Sequence, residues 1–154
     1  MTNFKRLTIW TIVLSFLIII GAGYGIACVG LLEIVGLFHK FNIGREDFSF
    51  SLTASYDKSL SVVALFALVG HVFLIASIMT KNYKQVFWTK ITGLLLLWAS
   101  FYYLTHNTFN DELSQIGFVT GLPFIIVSMI LATKMVKQII SISPRVTENY
   151  GNQQ

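Results

Sequence analysis

Apolar residues fill four long blocks of the chain, and polar residues gather at the joints between them. The blocks run from Leu7 to Phe38, Leu60 to Thr80, Val86 to Leu104 and Ile116 to Thr133. The last three match the roughly 20 residues that a helix needs to cross about 30 Å of hydrocarbon. Strands of an outer-membrane barrel alternate apolar and polar positions over short segments. These blocks are continuous, so helices are the spanning structure that satisfies the backbone. The pattern predicts an all-α integral membrane protein: a four-transmembrane-helix bundle over residues 1–143, with helices at about 7–38, 60–80, 86–104 and 116–140. Residues 144–154 are polar and are expected to form a flexible tail.

The first block is the irregular one. Leu7–Phe38 is 32 residues, about 48 Å as one unbroken helix. Such a helix projects beyond the bilayer, tilts, or bends. Its middle holds Gly21, Gly23, Gly25, Gly30 and Gly36, and one carboxylate, Glu33. Gly21 and Gly25 form a GxxxG step, and Gly117 and Gly121 form another in the fourth block. Small residues at this spacing let helices in lipid approach closely. Both steps fall in the outer halves of their helices, so a contact between the first and fourth helices is expected. Glu33 is then expected at the outer rim, or, if the helix bends, in the interior beside a partner.

Charge fixes the orientation. With the N-terminus cytoplasmic, Lys5, Arg6, Lys81, Lys84, Lys90, Lys134, Lys137 and Arg145 lie inside, and Lys40, Arg45 and Lys58 outside. This asymmetry predicts both termini in the cytoplasm of a bacterial inner (plasma) membrane. Lys5 and Arg6 before an apolar run resemble a signal peptide, but the run is too long for one and reads as an uncleaved span. The first outer loop, "HKFNIGREDFSFSLTASYDKS", alternates polar and apolar residues at "FSFSLTA" and is expected to carry structure. Only 12% of residues are charged, against about 25% in soluble domains. No basic cluster is dense enough to track nucleic acid. Cys28 is the single cysteine, so an internal disulfide and a paired-cysteine redox or metal motif are excluded.

His71 is the sharpest chemical anomaly, an ionisable residue near the middle of the second helix. Ala64 and Ala67 share its helical row, so it is expected to face other helices, with Tyr24, Ser128 or Ser100 as hydrogen-bond partners. His39 and His106 sit at segment ends, which disfavours a bis-histidine haem. His39, His106, Glu33, Asp111 and Glu112 gather at the outer mouth without the spacing of a metal motif, so no metal site is expected. No Walker loop, nucleophile elbow or paired catalytic carboxylates appear. Pro123 within the fourth helix is expected to kink it.

Together these features point to a non-catalytic membrane protein acting by association, as an accessory or assembly subunit or an immunity-like factor. Its partners would be the bilayer and another membrane protein or a second copy. The alternative is a quinone- or haem-linked redox or proton-transfer protein using His71, with Glu33 as a second candidate. A small transporter subunit comes third, because no polar stripe could line a pore. No cofactor is required by the sequence. The two readings part at His71→Phe, which spares an association protein and disables a redox one.

Overall fold

The computed structural model describes residues 2–22, 25–38, 56–106, 108–109 and 111–151. The chain is mostly helical. Its elements are α1 (Thr2–Phe16), β1 (Ile19–Ala22), β2 (Gly25–Cys28), α2 (Val29–Phe38), α3 (Tyr56–Met79), α4 (Tyr83–Thr105) and α5 (Glu112–Gly151). The first outer loop expected to carry structure, with His39 and the "FSFSLTA" stretch, lies outside the described residues.

The first block is not one helix, and the fold is not all-α. It is a helix, a two-stranded antiparallel hairpin and a short second helix. Ile19 pairs with Cys28, Ile20 with Ala27, Gly21 with Ile26 and Ala22 with Gly25. The reason lies in the residues. Each glycine disfavours helix by about 1 kcal/mol relative to alanine, and three fall within five positions. The β-branched run Ile18–Ile20 favours strand just before them. Gly21 and Gly25 therefore sit in paired strands and do not form a helical GxxxG face.

The hairpin is sealed from one side by α5. The Thr120 hydroxyl oxygen accepts the Ile19 N–H at 3.1 Å and donates its own proton to the Ile116 carbonyl. Beyond the hairpin, the Val29 N–H donates to the Ile18 carbonyl at 2.9 Å. Gly21 packs so tightly on α5 that a Cβ there would fall 2.6 Å from the Leu113 side chain. The expected contact between the first and fourth blocks is thus present, made by α1 and by the β1 strand. Gly117 lies under Leu104, with the Ile19 carbonyl near it, and Gly121 lies under Phe101. Thr120→Val should orphan the half-buried Ile19 N–H and lower the unfolding free energy of the purified protein by about 1 kcal/mol. Thr120→Ser should keep it; equal stability of the valine variant would show that the bond contributes nothing.

The most extensive contact is between α3 and α4. They cross at Gly70 and Gly93, where a Cβ on Gly93 would stand 2.9 Å from the Gly70 carbonyl oxygen. The core gathers around Ile18, Ile20, Val29, Val63, Leu74, Leu97, Leu104 and Phe124. Asn82 caps α4 by accepting the Lys84 N–H. At the other end, the Ser114 hydroxyl donates to the Leu104 carbonyl.

Two helices are long and apolar enough to cross a membrane, over Leu60–Met79 and Glu112–Gln138. Large apolar side chains on both point outward. Val72 is 59% exposed, Val119 62% and Ile126 60%. The fourth block starts earlier than expected and continues past residue 144 to Gly151, because a helix already seeded gains one bond per added residue.

Candidate functional site

Three elements converge on His71. It stands in the middle of α3 and is 2% exposed. Ser15, in the last turn of α1, places its Oγ 2.6 Å from His71 Nε2. Glu33, in the middle of α2, places Oε1 2.9 Å and Oε2 3.1 Å from His71 Nδ1. Ser15 and Glu33 are buried as deeply as the histidine. The Phe16 ring stacks on the imidazole, with centroids 4.1 Å apart and planes 9° from parallel. Gly30 makes this stacking possible, since a Cβ there would run into the Phe16 ring.

The hairpin explains the convergence. An unbroken helix would carry Glu33 about 27 Å beyond Ser15, at 1.5 Å per residue over the intervening 18 positions. Pairing Ile19–Ala22 with Gly25–Cys28 returns the chain to the level of Phe16, and α2 then begins beside it. Glu33 is therefore not at an outer rim. It is drawn inward, and its partner is His71.

The other expected partners of His71 are engaged elsewhere. Ser128 accepts the Trp98 indole N–H at 2.9 Å, and Ser100 donates to the Val63 carbonyl. Tyr24 lies outside the described residues. Ser15 was not singled out in the sequence: a serine on an apolar helix ordinarily bonds its own backbone, and Ser15 does so as well, to the Ile12 carbonyl at 2.8 Å. His106 bonds the Tyr103 carbonyl through Nδ1, while its Nε2 has no partner among the described residues. Asp111 accepts the Leu113 N–H, and Glu112 begins α5 on the surface. Among the described residues, no three His, Cys, Asp or Glu side chains gather as metal ligands.

Counting protons defines what the Ser15–His71–Glu33 cluster can do. The Ile12 carbonyl only accepts, so a hydroxyl proton directed there leaves Ser15 Oγ as an acceptor for Nε2–H. Nδ1 then either carries a second proton facing a carboxylate, or accepts a proton held by Glu33. Both arrangements have zero net charge. If the Ser15 proton turns to Nε2 instead, Nδ1–H faces an ionised Glu33 and the cluster carries −1. The neutral arrangements and the anionic one differ by one proton. Although Oε1 is the nearer oxygen, the bond geometry from Nδ1 is met by Oε2. Oε1 is thus an electrostatic neighbour, buried and with no hydrogen-bond donor among the described residues.

The order serine, histidine, carboxylate resembles a hydrolytic triad in its distances. Its surroundings do not serve that chemistry. Ser15 is 2% exposed, its hydroxyl is held by its own helix, and the face of the imidazole is covered by Phe16. Haem ligation is opposed by the same contacts, because both ring nitrogens are engaged.

No family model matches the sequence, no curated protein matches it, and no solved structure matches it. The functional reading therefore rests on the cluster itself.

Proposed function

We propose that this chain is an integral membrane protein that binds and releases a proton at the Glu33–His71 pair and uses that event to hold or free its hairpin and α2 segment. One observation carries the reading: a buried histidine has both nitrogens bonded, one to a buried hydroxyl and one to a buried acid with a spare oxygen. Ionisable groups at such depth in a membrane protein mark proton paths and switches by default. The pair joins α2 to α3, and Ser15 extends it to α1, so a change in its charge alters what holds three elements together.

The placement in the membrane draws on the outward apolar faces of α3 and α5 and on the lysine asymmetry. In this reading α1 with the hairpin, α3, α4 and α5 make four crossings of a bacterial inner membrane, both termini cytoplasmic. α1 alone has 15 residues, fewer than the roughly 20 of a full span, so the hairpin completes the first crossing.

The association reading is second. It drew on two glycine faces, and Gly21, Gly117 and Gly121 are occupied by this chain's own Leu113, Leu104 and Phe101. Its remaining support is the exposed apolar face of α5, which lipid covers equally well.

Infrared difference spectroscopy of the purified protein across about pH 4 to 9, a range bracketing free glutamate and histidine, tests the proposal. A protonated-carboxyl band that titrates, vanishes in Glu33→Gln and shifts in His71→Phe is the expected result. A spectrum in which no band depends on Glu33 would refute it. Labelling of Ser15 by a fluorophosphonate would refute it in favour of a serine hydrolase.

A further inference from the structure

A second feature lies far from the His71 cluster, at the turn between α3 and α4. A cavity of about 310 Å³ opens there between the start of α1, the end of α3, the start of α4 and the later part of α5. That volume is within the range of small-ligand sites, about 300–1,000 Å³. Its walls are largely apolar, including Ile78, Val86, Phe87 and Met135, and three lysines, Lys5, Lys81 and Lys90, line it.

Lys90 is the unusual member. It is 7% exposed, and its ammonium stands 5.7 Å above the centre of the Phe4 ring. The nearby cation Lys5 repels it. Among the described residues no carboxylate lines the cavity or pairs with Lys90. The hydroxyls in the wall do not serve as its counter-charge. Ser77 and Thr80 both donate to backbone carbonyls of their own helix. The Lys90 side chain is largely covered, and a cation partly withdrawn from water with no anion opposite it is costly. The N-terminus of α4 opens beside the cavity and adds a further favourable field for an anion.

We propose that this cavity binds the phosphate headgroup of an anionic phospholipid, with Lys90 as the inner contact and Lys5 and Lys81 at the rim. The apolar wall then receives the first part of an acyl chain, which a free phosphate ion would leave empty. The positive-inside arrangement puts the cavity at the cytoplasmic surface, where anionic headgroups are found and where basic pockets between helices bind them. The proposal rests on the membrane placement for its lipid source, and not on the proton site.

The full-length protein in mild detergent is titrated with short-chain phosphatidylglycerol, phosphatidylcholine and inorganic phosphate, with thermal stability and native mass as readouts. Phosphatidylglycerol should bind and raise the melting temperature, and phosphatidylcholine should do neither. Lys90→Met and Lys5→Gln should each weaken phosphatidylglycerol binding about fivefold, the scale of one cation near an anionic lipid. Glu33→Gln should leave the lipid response unchanged. Equal response to both lipids, or an unchanged response in Lys90→Met, overturns the proposal. Full stabilisation by inorganic phosphate alone overturns the lipid assignment in favour of a soluble phosphate compound. Carbonate extraction of whole membranes tests the placement separately: release of the chain would overturn the lipid source while leaving the Glu33 titration to be judged on its own.

Discussion

His71→Leu is expected to destabilise the protein by about 3–5 kcal/mol, and adding Glu33→Leu is expected to restore most of the loss. The single change leaves Glu33 buried with no ring nitrogen opposite it. An unpaired buried carboxylate either stays charged at a large desolvation penalty or takes a proton to avoid it. The double change removes both polar heads and substitutes side chains that pack in the same space. Glu33→Gln should lie between, about 1 kcal/mol, because an amide still meets Nδ1. Unfolding in mixed detergent micelles with increasing denaturing detergent measures all four proteins of the cycle. A strongly negative coupling energy, with the double variant near wild type, fits an ion-paired centre. Additive losses would mean that the two residues act independently and that their 2.9 Å approach contributes little. The same set separates stability from function, since the double variant should be well folded and blind to pH in the infrared measurement.

Gly93→Ala is expected to produce the second large effect, a loss of about 1–3 kcal/mol. The added methyl would stand 2.9 Å from the Gly70 carbonyl oxygen, and that oxygen belongs to a helix backbone that cannot turn aside. Relief requires α3 and α4 to separate along their most extensive contact. Gly21→Ala provides the comparison. Its Cβ approaches Leu113 still more closely, at 2.6 Å, but the atom it meets is the end of a flexible side chain. Gly21→Ala should therefore cost less than Gly93→Ala despite the shorter distance. Thermal unfolding of the two variants under one set of conditions decides the order. A smaller loss for Gly93→Ala would show that the two helices can shift without penalty.

The sequence pattern was informative where length and continuity decide structure, and less so where a few residues overrule a long pattern. The apolar blocks located α3, α4 and the apolar part of α5 to within a few residues. His71 stood out because an ionisable side chain in such a block is rarely accidental, and its alanine neighbours correctly implied an interior position. The first block misled because hydropathy does not distinguish a long helix from a helix, hairpin and helix of equal greasiness. The distinguishing signal was present in "IIIGAGYGIAC": β-branched residues, then glycine at the first of two positions between apolar flanks, where a two-residue hairpin turn accepts it. Reading those glycines as a helical face left Glu33 too far from His71 to be paired with it. Ser15 and Gly30 were invisible for another reason. Their roles exist only once the hairpin has folded, and nothing in their own neighbourhoods announces them. Gly70 and Gly93 lie alone in their helices, without the four-residue spacing that draws notice, although a Cβ at either would meet the backbone of the facing helix.

The bond from Ile19 to Thr120 joins residues 101 positions apart, and this governs the order of assembly during synthesis. α3 and α4 are neighbours in sequence and can pair as soon as both have emerged. The β1 edge has no such local partner. It waits, with its backbone groups unsatisfied, until the last helix has been made. The beginning of the chain is therefore among the final parts to settle, and the proton site, which depends on the hairpin, is completed with it. An incomplete chain released before residue 120 would hold a finished α3–α4 pair beside an unsealed N-terminal segment.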